Sequence, residues 1–126
     1  MKLSTSAVSV FLATTDAETC KVFYGGKLGL SLVSEDDFAV VYALSGAELR
    51  ISKVPKFTPQ PFTVLDWQTD DIDAAHASLT DAGIEPVIYE GMGQDEKGIW
   101  TVPGAPVRIL WFRDPDGNLL SVSQRA

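Results

Sequence analysis

The chain has 126 residues, and 10 Lys plus Arg against 17 Asp plus Glu leave a net charge of −7 with its single histidine neutral. That length suits one compact domain with its own hydrophobic core, and 45% apolar with 21% charged residues is ordinary for a folded globule. The acidic balance argues against nucleic acid and anionic membrane as partners, because a phosphate surface must be met by Lys and Arg, and Cys20 alone permits neither an intrachain disulfide nor a cysteine metal cluster.

The apolar run 7–12 predicts a first strand. A capping box of Thr15 and Glu18, with Asp16 at the positive helix end, then predicts a helix carrying Cys20, Phe23, Tyr24 and Leu28 that stops at Gly29. Strands follow at 30–34, 38–44 and 47–53, separated by hairpin-sized turns. The proline-rich stretch 54–61 has no periodicity and reads as a linker.

After the linker the pattern restarts. A strand at 62–69 precedes a helix capped by Asp70 and Asp71, with Ile72, Ala75, Leu79 and Ala82 on one face and Gly83 at its end. Strands are predicted at 84–89, 98–102, 107–112 and 119–124. The sequence therefore reads as one α+β domain over 1–126, built from two βαβββ modules of about 5–53 and 62–126. Such modules are expected to form a curved mixed sheet around a central cavity, with the helices on the outer face. The first residues lack the apolar run of a signal peptide, and no stretch approaches the roughly 18 apolar residues of a membrane span, so a cytoplasmic setting is expected.

The most informative string is Asp114-Pro115-Asp116-Gly117-Asn118 between two apolar strands. Pro115 presets the first turn dihedral and Gly117 accepts a positive φ, so by itself the string is a tight hairpin of a kind found in many folds. Together with the duplicated module, and with Phe23-Tyr24 ahead of Leu28-Gly29-Leu30, it resembles the vicinal oxygen chelate superfamily, which includes glyoxalases, bleomycin resistance proteins and extradiol dioxygenases. The resemblance covers essentially the whole chain.

It implies a divalent metal held by His or Glu from four strands, two in each module. Counted from the helix and turn landmarks, those positions hold Ser9, Arg50, Val64 and Ser121. Serine is a poor divalent ligand and a permanent cation repels a metal ion. Glu48 is the alternative if the register slips, which leaves at most one donor. No metal and no other cofactor is therefore expected. His76 lies on the second helix, where a half-buried or surface residue is the expectation.

Strand alternation expects Ser9, Phe11, Glu48, Arg50, Val64, Asp66, Gln68 and Ser121 to face the cavity, with Trp67 on the helix-packing side. Arg50 suits a carboxylate or phosphate, or else pairs internally with Glu48 or Asp66. Trp111 is either a core aromatic or a stacking surface for a planar ligand; Trp100, Tyr42 and Tyr89 are read as core or cross-strand aromatics. Two functions remain open. One is a metal-free protein that binds a small organic molecule, either cationic or planar and aromatic. The other is a lyase, isomerase or dioxygenase-type enzyme with an atypical metal site, or with Glu48 or Asp66 as the catalytic base. The resemblance also implies a homodimer.

Overall fold

The structure, a computed structural model, describes residues 2–125. It divides into two compact units, Met1–Thr58 and Pro59–Ala126. After a single 3-10 turn at Leu3–Thr5, the first unit runs β1 (Val8–Thr14), α1 (Ala17–Lys21), a π-helical turn (Val22–Lys27), β2 (Ser31–Glu35), β3 (Ala39–Leu44) and β4 (Ala47–Lys53). The second runs β5 (Thr63–Gln68), α2 (Ile72–Asp81), β6 (Trp100–Thr101), β7 (Val107–Arg113) and β8 (Leu119–Arg125). Each is a βαβββ module with a four-stranded mixed sheet, ordered β1-β4-β3-β2 and β5-β8-β7-β6. In both, the first and last strands are parallel neighbours and the remaining pairs are antiparallel.

The helix of each unit covers one sheet face. In the first, Leu12, Val40, Tyr42, Leu49 and Ile51 are buried together with Cys20, Phe23 and Tyr24. The helix is capped one residue later than the Thr15 box predicts: Asp16 is the N-cap and accepts from the Thr19 amide at 3.2 Å and the Thr19 hydroxyl at 2.9 Å. The two carboxylate oxygens of Asp16 meet the amide and the hydroxyl of Thr19 one each, and their negative charge suits the positive end of the helix. After Lys21 the helix widens, and the Leu28 amide donates five residues back to the Phe23 carbonyl at 2.9 Å. The wider turn buries the adjacent Phe23 and Tyr24 side by side, with ring centroids 4.9 Å apart and 80° between planes. Gly25 makes room, since a Cβ there would stand 3.2 Å from the Tyr42 hydroxyl.

In the second unit α2 begins as expected, with Asp71 accepting from the Ala74 amide at 3.0 Å. Leu110, Phe112, Leu120 and Val122 are buried on the helix face with Ile72 and Leu79, and Trp67 stacks on Phe112 at 6.3 Å. Gln124 also reaches the helix, its Oε1 accepting from the Ile72 amide at 2.9 Å.

The strand expected at 84–89 does not form, and the one at 98–102 shrinks to Trp100–Thr101. Pro86 has no N–H to offer a ladder, and the Gln94 side chain takes the backbone groups of Val87 and Tyr89 that a neighbouring strand would need. One backbone bond, from the Val87 amide to the Trp111 carbonyl at 2.8 Å, ties the segment to β7. Gly98 closes it with φ of +81°; a Cβ there would lie 2.8 Å from Pro86 Cβ and 2.9 Å from Ile88 Cδ1. The Asp73 carboxylate at the start of α2 joins Lys97 at 3.0 Å and Arg108 at 3.2 Å.

Two outcomes are expected. Gly98→Ala should destabilise by at least about 2 kcal/mol from its left-handed backbone and the clash, while Gly91→Ala, where a Cβ meets open space, should cost about 1 kcal/mol; urea unfolding reads both. Hydrogen bonds from Arg108 and then Lys97 hold the Asp73 carboxyl down at about 2 against its usual 3.8. A carboxylate with a depressed folded pKa stabilises above its unfolded value and loses that contribution as pH falls through the folded one. Asp73→Asn should therefore show a shallower fall of the urea midpoint than the wild type between about pH 4 and 2, where this carboxyl takes up its proton.

Candidate functional site

The sheet face opposite each helix carries the polar and aromatic side chains of interest. In the first unit the β1–β4 register pairs Ser9 with Glu48 and Phe11 with Arg50, and β3 adds Val41 on the other side of Arg50. Paired residues of neighbouring strands point to the same side, so Ser9, Phe11, Glu48 and Arg50 share the face that the sequence assigns them. Phe11 remains 63% exposed and Arg50 is half-buried. Among the described residues of this unit, the ion pairs join Lys21 to Glu18 and Glu35, and Lys53 to Glu35. Arg50 takes part in none of them, so the alternative in which it pairs internally with Glu48 is not realised. Its positive field still reaches Asp36, whose carboxyl is held below the usual range mainly by the Phe38 and Ala39 amides, with Arg50 and Lys53 adding to the effect.

In the second unit the equivalent row is Asp66, Ser121 and Trp111 on β5, β8 and β7. The Ser121 hydroxyl donates to Asp66 Oδ1 at 2.6 Å and the Ser123 hydroxyl donates to Oδ2 at 2.7 Å. Both serines are buried while Asp66 is exposed. Two hydroxyls from one strand thus orient a carboxylate on the next, leaving it a fixed negative charge on the open face. Gln68 lies two residues further along the same side. Val64 departs from its expected place: β5 advances two residues, Thr63 to Leu65, while β8 advances one, Leu119 to Leu120. The extra residue is Val64, which the bulge removes from the ladder. Thr63 becomes the neighbour of Leu119 in its place.

At this end of the face lies an open pocket of about 560 Å³, lined by Phe62, Thr63, Tyr89, Glu90, Met92 and Trp111 with Pro61, Gly91 and Leu119. Tyr89 stands edge-on to Trp111, 5.5 Å away at 87°, and Trp100 backs the same indole at 5.9 Å. The wall is aromatic and apolar, and its one ionisable carboxylate is the exposed Glu90. Of the expected ligand-binding residues only Trp111 lines this pocket. Strand periodicity casts Tyr89 as a cross-strand aromatic and does not single out Phe62, Glu90 or Met92; the paired Gly91 and Gly93, both at positive φ, are the signal that a shaped loop lies there. His76 is half-buried on α2 as expected, its Nε2 3.5 Å from the Thr80 hydroxyl. Among the described residues no group of three or more His, Cys, Asp or Glu side chains is placed to hold a metal ion.

The family model for a glyoxalase-like domain matches residues 9–123. The chain belongs to the glyoxalase-like family. It is accordingly a member of the vicinal oxygen chelate superfamily. A glyoxalase family protein from Bacillus anthracis is similar in structure, with a TM-score of 0.76 and 17% identity over 100% of this chain and 99% of that one. An integron cassette protein from the mobile metagenome of V. cholerae shares 25% identity at a TM-score of 0.68, covering 100% and 98% of the two chains. A genomically encoded fosfomycin resistance protein from Listeria monocytogenes aligns over 100% of this chain and 96% of its own, with a TM-score of 0.75 and 12% identity. No curated protein matches the sequence. Across this glyoxalase-like fold the likenesses establish architecture and leave chemistry to the side chains. No described helix is long and apolar enough to cross a membrane.

The serine and carboxylate cluster gives a direct test. Asp66→Ala leaves two buried hydroxyls without their acceptor and should destabilise by about 2 kcal/mol, whereas Ser121→Ala and Ser123→Ala, each removing one donor, should cost about 1 kcal/mol. Chemical denaturation of the three variants measures the difference.

Proposed function

We propose that this glyoxalase-like protein binds a small organic molecule without the help of a metal ion, and that the ligand is a planar aromatic cation received beside Trp111. The observation that carries the reading is the row Asp66, Ser121, Trp111. In this superfamily the Ser121 position is expected to supply a metal-binding carboxylate, and here its hydroxyl proton is already given to Asp66 at 2.6 Å. The remaining donors fit a divalent cation no better. Arg50 is a permanent positive charge, Ser9 has a neutral hydroxyl, and Val64 has no donor atom.

What the row offers instead is a flat hydrophobic surface next to fixed negative charge. A cation over the face of an indole gains about 0.5 kcal/mol when exposed and about 2 kcal/mol or more when desolvated. Glu90 at the pocket and the overall charge of −7 add long-range attraction for a positive ligand and repel anionic competitors. Met92 supplies an adaptable sulfur-containing wall that can meet rings of different outline.

Titration with N-methylacridinium, a planar aromatic cation, should saturate and quench the indole emission of the protein. Trp111→Leu should abolish saturable binding, and Glu90→Gln should weaken it three- to tenfold at low salt and flatten its salt dependence. Metal analysis of protein purified without chelator should find far less than one equivalent of any divalent ion. A stoichiometric ion, or the failure of planar aromatic cations to bind at all, would overturn the proposal.

A further inference from the structure

We propose that Gln94 is the positioning residue of the Trp111 pocket, holding its Tyr89 to Met92 wall at the geometry that receives a ligand. The inference rests on the pocket reading above and adds to it the group that shapes the site without lining it. The wall lies in the segment between α2 and β6, which has no strand of its own. One side-chain amide replaces the missing ladder. Gln94 Oε1 accepts from the Tyr89 amide at 2.7 Å, and Nε2 donates to the Val87 carbonyl at 2.9 Å and to the Gly98 carbonyl at 2.8 Å.

Both Nε2 protons are thereby used, and a flipped amide would turn its oxygen towards two carbonyls, so the orientation is unique. Val87 is itself bonded to β7 at the Trp111 carbonyl. The amide of Gln94 thus joins the two arms of the loop at a residue tied to the Trp111 main chain. The edge-on contact of Tyr89 with Trp111 at 5.5 Å follows from that tie, and Glu90, Gly91 and Met92 project beyond it. The far end of the segment is also held by Lys97 on Asp73 at 3.0 Å, which supplies a control: the same loop, but an ion pair that is none of the three bonds of the amide.

Gln94→Met, Gln94→Glu and Lys97→Ala in the full chain test the proposal with N-methylacridinium as the probe. Gln94→Met fills similar volume without the three bonds, and should lower affinity at least tenfold and flatten the near-ultraviolet dichroism of the aromatic cluster while the far-ultraviolet spectrum persists. Lys97→Ala should keep affinity within twofold. Gln94→Glu keeps the acceptor and turns an anionic oxygen on two carbonyls. Its binding should be weak at pH 8 and recover towards pH 5 as the introduced carboxyl takes up a proton and donates again, while the wild type stays flat over that range. Affinity within twofold of wild type in Gln94→Met, or no pH dependence in Gln94→Glu, would sink the positioning role. Should the wild type bind no probe, the ligand class proposed above falls, and near-ultraviolet dichroism still decides on Gln94: unchanged aromatic bands in Gln94→Met overturn its role. If Gln94→Met fails to fold, the pH response of Gln94→Glu decides between the two outcomes.

Discussion

Each unit is organised by a parallel pair of strands, β1 with β4 and β5 with β8. Parallel neighbours cannot be joined by a hairpin, so the chain must leave the sheet and return. The helix that follows β1 or β5 makes the departure, and two further strands bring the chain back beside its start. Having crossed one face, the helix buries it, against Leu12, Val40, Tyr42, Leu49 and Ile51 in the first unit and Leu110, Phe112, Leu120 and Val122 in the second. The opposite face carries the side chains that the helix does not cover, the buried Ser121 and Ser123 and the exposed Phe11 among them. Asp66, Ser121 and Trp111 stand on it in one row because β8 pairs with β5 on one edge and β7 on the other.

The electrostatics follow the same division. On the helix sides, charges are placed against partners: Lys21 and Lys53 share Glu35, and Lys97 and Arg108 share Asp73. On the open faces Arg50 joins no ion pair of its unit, and Asp66 is met by neutral hydroxyls alone. A charge given only neutral hydrogen-bond donors keeps its field, whereas one paired with an opposite charge loses most of it. The chain thus places its ion pairs on the helix sides and leaves single charges on the opposite faces.

Much of this was legible in the amino-acid sequence. The Asp71 cap, the Asp114-Pro115-Asp116-Gly117-Asn118 turn and the alternation of β4, β7 and β8 depend on local chemistry, and the strands and α2 stand where that chemistry directs. The placement of Arg50 and Ser121 at matching points of the two modules was legible for the same reason, since a hairpin register is set by its turn. The failures are equally physical. A window around 84–89 has strand composition, but nothing in it reveals that Gln94 will occupy its hydrogen-bonding groups from five and seven residues away. The π turn is fixed by packing Phe23 and Tyr24 together, a tertiary demand to which helical periodicity is blind. The bulge at Val64 arises from pairing with β8, far along the chain, and it moved the pocket lining from Val64 to Thr63.

The bonds of Gln94 have one property with consequences beyond geometry: all three end on the main chain. Nothing in that fastening inspects the side chains at 90 and 92, which flank and adjoin glycines whose backbone tolerates either neighbour. The frame of the loop and its chemical content are therefore separately encoded. A lineage could exchange Glu90 or Met92 one at a time, retuning what the surface prefers while the scaffold beneath stayed as it was. That separation gives a small fold a route to new preferences through single steps that leave the three main-chain bonds in place.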